Sequence, residues 1–320
     1  MNKKAVQFPQ LVHTRHAYER LKQCVRCGAY SSLGLETCLN CEAEHSGRPV
    51  ADIARTVLRH GKLRDALLLG ASGLAGFVFA RNALQMSVSL AVGLLLVAVY
   101  FWLCKRYAVE RERHTLLHLL KQESAQVRDG MLLDAENAAG DLKSEDELSA
   151  YLKLREIGHF LKGDQIKMLK IYCLNRFILR RDMDLELGTL IPEAFDPDFV
   201  RYVNEICKVK PELIRRDMLD YARRYRPEIE ALAIGPQTMA QLAGAALRVK
   251  EYVVQYPDLI ADHVGALSRD RLLRLCRLLQ DIPASRRNAR LFDKAMDEAE
   301  RMYGNDAEFE PILGKDANFQ

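Results

Sequence analysis

From Ala66 to Ala80 the chain reads ALLLGASGLAGFVFA, and from Ala83 to Cys104 it reads ALQMSVSLAVGLLLVAVYFWLC. Only Arg81 and Asn82 part the two runs, and residues 66–104 hold no Asp, Glu or Lys. The second run has 22 residues, enough for a hydrocarbon core that needs about 20. The first has 15; snorkelling by Lys62, Arg64 and Arg81 extends it to about 19. A soluble account would need a pair of core helices almost free of charge. The pattern therefore predicts a transmembrane helical hairpin over 65–104, with helices at about 65–81 and 83–104.

Small residues recur inside both runs: Gly70, Ala71, Ser72, Gly73, Ala75 and Gly76 in the first, Ser87, Ser89, Ala91 and Gly93 in the second. Such residues let helix backbones approach closely in lipid, within the hairpin or by self-association. Arg55, Arg59, Lys62 and Arg64 precede the hairpin, Lys105, Arg106, Arg111 and Arg113 follow it, and Arg81 alone marks the turn. Positive charge thus places both termini in the cytoplasm, an integral membrane protein with a minimal loop outside. Tyr100, Trp102 and Tyr107 fall at interfacial height. The stretch 49–64 is basic, with Ile53, Val57 and Leu58 on one face; an interfacial helix on anionic headgroups and an ordinary linker helix fit it equally.

Beyond Cys104 no proline occurs before Pro192, and strong helix formers dominate. Residues 105–142 read as a helical stalk, where Leu116, Leu120, Val127 and Met131 sketch a seam without a sustained heptad. Ser144-x-x-Glu147 reads as a capping box opening a helical cytosolic domain over 143–305. Asp196-Pro197, Gly235-Pro236 and Pro257 mark later helix starts. Val203–Ile214 aligns without gaps to Val249–Ile260, an offset of 46. That period suits HEAT-like helix pairs, although two copies fall short of three and chance similarity of amphipathic helices fits as well. Residues 306–320 read as a loose tail whose Phe309, Ile312 and Leu313 could dock. The expected fold is a mainly α membrane protein.

Charge is uneven. Residues 1–64 hold eleven Lys and Arg against five Asp and Glu, whereas 105–320 are nearly balanced. A balanced helical region argues against a nucleic-acid-binding domain there. Arginine clusters at Arg215-Arg216, Arg223-Arg224-x-Arg226 and Arg286-Arg287 are interleaved with acids such as Asp217 and Asp220, which favours solvated faces.

Four of the eight cysteines are grouped. Cys24-x-x-Cys27 and Cys38-x-x-Cys41 stand ten residues apart, the spacing of a structural zinc site. Each pair closes a knuckle aiming two thiolates at one ion, and Gly28 supplies left-handed backbone cheaply. Residues 24–41 resemble the zinc-ribbon families, which implies a structural Zn²⁺ held by Cys24, Cys27, Cys38 and Cys41. Glu42 departs from the pattern, standing where a glycine often follows the second knuckle. The surroundings lack the βαβ pattern of a redox Cys-x-x-Cys, and disulfides would require an oxidising compartment. His13, His16 and His45 are spare ligands nearby, more simply read as exposed polar residues. The ribbon occupies 1–48. Cys104, Cys173, Cys207 and Cys276 are scattered, as buried small hydrophobes usually are.

The chain contains no Walker loop, Gly-x-Ser-x-Gly or His-Glu-x-x-His, and His159 and His263 stand alone. The sequence points to a non-enzymatic, membrane-anchored adaptor recruiting protein partners. Nucleic-acid recruitment by the basic ribbon is the alternative, weakened because four thiolates on Zn²⁺ add two negative charges.

Overall fold

The computed structural model describes residues 3–9, 14–80 and 82–314; His13 and Arg81 lie outside the described residues. The fold is mostly helical, with one small sheet. The chain divides into two units, Val12–Leu161 and Met1–Leu11 with Lys162–Gln320.

The first unit opens with three short strands, β1 (Lys22–Cys24), β2 (Tyr30–Ser31) and β3 (Gly47–Pro49). They form an antiparallel sheet in the order β2-β1-β3, with Gln23 opposite Tyr30 on one side and Arg48 on the other. Five helices follow: α1 (Val50–Val78), α2 (Ala83–Arg106), α3 (Ala108–Gln122), α4 (Ser124–Lys143) and α5 (Glu147–Ile157).

Helix α1 leaves β3 directly and runs unbroken for 29 residues, about 43 Å at 1.5 Å per residue. Residues 50–64 of the basic stretch are therefore the first half of one continuous helix rather than a separate linker. Nothing interrupts it because it contains no proline and its one early glycine, Gly61, is tolerated. The second half of α1 packs along α2. They approach closely at Gly73 and Gly93, where a β-carbon on either would lie 3.2–3.3 Å from the other's Cα. One turn on, Gly76 faces Ser89. Several of the small residues are thus spent on the contact between the two helices of one chain.

The two helices are not equivalent. Among the described residues only α2 is long and apolar enough to cross a membrane. The expected pair of spanning helices is corrected to a helical pair with one such member, because Lys62, Arg64 and Asp65 cut the apolar run of α1 short.

Residues 105–142 do not form a free stalk. Backbone breaks at Tyr107 and Glu123 set off α3 and α4. Helix α3 packs on the first half of α1, where Arg55 Nε donates to Glu112 Oε1 at 2.7 Å, and α4 packs on β2 and α5. The seam read from the sequence is real, but its partner is the sheet and α1: Leu120, Val127 and Met131 close on Leu21, Tyr30 and Val50. Helix α5 begins where expected with a different cap. Asp146, not Ser144, accepts from Ser149 N at 3.0 Å. Ser144 ends α4 instead, and Glu145 turns the chain with φ +62°. Helix α5 also belongs to this unit, so the boundary falls after Leu161 rather than at 143.

The second unit comprises α6 (Asp164–Asn175), α7 (Pro197–Val209), α8 (Arg216–Arg224), α9 (Arg226–Glu230), α10 (Gly235–Ala246), α11 (Lys250–Gln255), α12 (Pro257–Ala261), α13 (Arg269–Gln280), α14 (Ala289–Tyr303) and α15 (Glu310–Leu313). Helix α10 sits centrally, packed by α7, α8, α9 and α12, with Met239, Leu242, Ala243 and Ala246 fully buried. Asp196 caps α7 through Phe199 N at 2.7 Å, with Pro197 in the first turn. The matched segments share a helix broken before a proline, at Lys210 and Tyr256, because the residue preceding proline is pushed out of helical backbone. The match stops there: α7 has 13 residues and α11 only six.

The N-terminal residues belong to this unit and not to the ribbon. Lys4 bridges Phe177, its N–H donating to Arg176 O at 2.7 Å, and Lys3 pairs with Glu205 at 3.0 Å. The tail docks as far as it is described: Phe309 and Ile312 are buried, Phe309 stacks on Tyr303, and Arg269 holds Asp306 and Glu308.

Candidate metal centre

The two Cys-x-x-Cys turns are built alike. In the first, Cys24 N donates to Ala29 O (2.8 Å) and Gly28 N to Cys24 O (2.9 Å). In the second, Cys38 N donates to Ala43 O (3.0 Å) and Glu42 N to Cys38 O (2.9 Å). Both turns need left-handed backbone after their second cysteine, with φ +75° at Gly28 and +57° at Glu42. Glycine takes that conformation freely; a residue with a β-carbon meets a penalty of roughly 1–2 kcal/mol. The departure noted in the sequence therefore keeps the geometry and strains it.

The four sulfurs converge. Cys24 and Cys41 lie 3.7 Å apart, as do Cys27 and Cys38, and all four Sγ atoms fall within 4.8 Å of one another. A tetrahedral ion with bonds of about 2.3 Å sets its ligands about 3.8 Å apart, whereas disulfide sulfurs sit about 2 Å apart. The spacing fits a four-coordinate metal, and four-sulfur sites of this shape hold zinc or iron. Burial opposes ionisation of Cys24, but hydrogen bonding with Ser46 and with the N–H groups of Cys27 and Arg26 outweighs it and lowers the thiol to about 6.

None of the candidate histidines joins the cluster among the described residues. His45 is exposed at a left-handed turn, and His16 stacks on Tyr18. Cys104, Cys173, Cys207 and Cys276 are all buried. Burial pushes Cys207 up to about 12 and Cys276 up to about 11, which leaves both as inert packing groups.

The ribbon is seated on α4. Asp134, only 1% exposed, accepts from Ser31 Oγ (2.8 Å), Ser32 N (2.8 Å) and Ser32 Oγ (3.2 Å). Burial raises its carboxyl above the usual range, and the serine bonds offset this only in part. One turn earlier in α4, Gly130 lets the backbone of Tyr30 press against the helix. The Tyr30 hydroxyl donates to Glu123, and burial together with that carboxylate raises the phenol strongly. Sequence reasoning missed this seat. Its signal was Gly130 and Asp134, four apart on one helix face beside Val127 and Met131.

The arginine clusters of the second unit meet acids. Arg216 and Arg223 both reach Asp220, Arg226 holds Glu230 and Asp262, and Arg286 reaches Glu251. Comparison with protein-family models, with curated proteins and with solved structures finds no match to the chain.

Proposed function

We propose that the chain is a non-enzymatic adaptor anchored in a membrane, with a structural Zn²⁺ in its ribbon and protein partners on the cytosolic side. The observation that carries this is the exposure of α2. Only 6% of its apolar window is buried, whereas a core helix of a soluble protein would be mostly covered. Leu84, Leu94, Leu95 and Trp102 are among the large side chains left bare, and on α1 so are Leu67, Leu74 and Val78. An apolar belt of this kind requires a lipid or protein cover. Helix α2 crosses the bilayer, and the apolar half of α1 enters beside it.

The first half of α1 then acts as a pillar. From Val50 to Ala66 is about 24 Å along the helix axis, braced by α3. The ribbon is thereby held beyond the headgroup layer, where its exposed loops meet partners in water rather than lipid. Four thiolates close the coordination shell, so zinc there supplies folding energy rather than catalysis.

The test is crosslinking and recovery from membranes, comparing the full chain with a Cys24→Ser/Cys27→Ser variant. Retention of both forms after carbonate washing, with loss of specific protein partners from the variant, supports the adaptor. Release of the wild-type chain by carbonate removes the anchor. Salt-sensitive recovery of nucleic acid instead of protein replaces the adaptor with nucleic-acid recruitment.

A further inference from the structure

We infer that the ribbon-side end of the helical pair is a clamp for anionic phospholipid headgroups, an inference that rests on the membrane reading above. Lys62 and Arg64 lie within about one turn of the apolar edge at Ala66, and Lys105 and Arg106 follow Cys104 directly. Gly73 facing Gly93 sets Cys104 about level with Lys62, so at 1.5 Å per residue Lys62 and Arg64 stand about 3–6 Å, and Lys105 and Arg106 about 8–9 Å, beyond Ala66. The headgroup layer is about 5–8 Å deep on each side of the hydrocarbon. Arg59 stands one turn farther out.

Among the described residues these cations lack acids, as do Arg215, Arg224, Arg274 and Arg277 of the second unit; what distinguishes them is that they do so at the edge of a bare apolar surface. Arg59, Lys62, Lys105 and Arg106 have no ion pair among the described residues, and Arg64 reaches only Asp65, at 3.5 Å. Asp65 is itself engaged, accepting from the Tyr100 hydroxyl at 3.1 Å. Arg111 is turned inward, its Nη1 2.6 Å from Cys104 Sγ and its guanidinium over the Tyr100 ring. Other arginines of the second unit, such as Arg226, Arg269 and Arg290, each hold two or more carboxylates.

Unpaired cations directly abutting bare apolar side chains match a ligand with an anionic head and an apolar body. Leu63, Leu67 and Trp102 are each more than 60% exposed at this level. A free phosphate would satisfy the charge and leave the apolar surface wet; an anionic phospholipid covers both.

Trp102 is the only tryptophan in the chain and stands beside the clamp, which supplies the measurement. The full-length protein is reconstituted in vesicles containing dibrominated phosphatidylglycerol or dibrominated phosphatidylcholine at equal mole fraction, and quenching of Trp102 is read. Phosphatidylglycerol should quench with a relative affinity about fivefold or more above phosphatidylcholine, the share expected of even one cation at an anionic surface. The preference should fall towards unity in 0.5 M NaCl and in the Lys62→Gln/Arg64→Gln/Lys105→Gln/Arg106→Gln variant, with far-UV circular dichroism reporting its fold. Equal quenching by the two lipids in the wild type overturns the clamp and leaves the anchor standing. A preference that survives both salt and the substitutions also overturns it. Quenching by neither lipid removes the anchor and the clamp with it.

Discussion

The carbonyl oxygen of Tyr30 lies 2.1 Å from the point where a β-carbon on Gly130 would sit. A side chain there cannot be accommodated by rotating a neighbour, because the obstruction is backbone. Gly130→Ala should therefore lift β2 off α4, at a cost of about 1–3 kcal/mol for overpacking, offset by about 1 kcal/mol of helix propensity. Gly140 on the same helix has nothing within 4 Å, so Gly140→Ala should gain about 0.5–1 kcal/mol. Amide hydrogen exchange of residues 22–48 separates the two: faster for Gly130→Ala, unchanged or slower for Gly140→Ala. Equal exchange in both variants would remove the seat on α4.

Asp134 tests the same seat by charge. Asp134→Ala strands the buried Ser32 N–H and should cost about 1–3 kcal/mol. Asp134→Asn can still accept from Ser32 N and donate to Ser31 Oγ, and should cost less. Burial holds the native carboxyl above its ordinary value of 3.8. The folded chain then binds this proton more tightly than the unfolded chain does. The associated stability is complete below the unfolded value and is lost as pH rises through the folded one. Asp134→Asn, which cannot ionise, escapes that loss, so its stability relative to wild type should improve as pH rises from just below the unfolded value of 3.8 to neutrality. Urea unfolding of both proteins at both ends of that range reads the difference, and pairing them cancels the pH dependence of metal binding. A relative stability that moves the opposite way would show the carboxylate to be favoured in its site.

Glu42 and Gly28 occupy equivalent positions in matching turns, and only one of them is suited to it. Glu42→Gly should stabilise the ribbon by about 0.5–1 kcal/mol, the left-handed strain removed less the extra chain entropy glycine brings. Gly28→Glu should cost about 1–2 kcal/mol. Elemental analysis of the purified chain should find one zinc per molecule, with chelator-driven release slower in Glu42→Gly and faster in Gly28→Glu. Iron in place of zinc would keep the cluster and change its ion. A release rate indifferent to both substitutions would mean that the turns do not limit metal loss.

Some features were legible in the sequence because their physics is local. Cysteine spacing predicts the convergence of Cys24, Cys27, Cys38 and Cys41, and Asp196-Pro197 predicts the start of α7, since each depends on a few adjacent residues. The packing of the ribbon was not legible. Gly130 and Asp134 acquire meaning only from Tyr30 and Ser32, about a hundred positions away, and neither disturbs the helical pattern of α4. The bridge from Lys4 to Phe177 is too short to leave a period. The cap at Asp146 was missed for a different reason: Ser144-Glu145-Asp146-Glu147 offers two capping residues, and only the backbone reversal at Glu145 selects the second. Helix α1 hid its continuity because charge changes sharply at Asp65 while backbone geometry does not.

The topology proposed for the anchor can be read by labelling. Lysine and arginine crowd both outer ends of the helical pair; if the apolar half of α1 inserts beside α2 as proposed, the positive charge assigns both ends to the cytosolic side. Single cysteines replacing Arg48 beside the ribbon, Asn82 at the start of α2, and Lys250 in the second unit are all at exposed positions. The native cysteines outside the metal cluster are buried and contribute little background. A membrane-impermeant maleimide added to intact cells should reach Asn82→Cys alone, and Arg48→Cys and Lys250→Cys only after permeabilisation. Labelling of the latter two without Asn82→Cys would invert the orientation. Labelling of just one of them would mean that the chain crosses once, through α2, with α1 left on the surface.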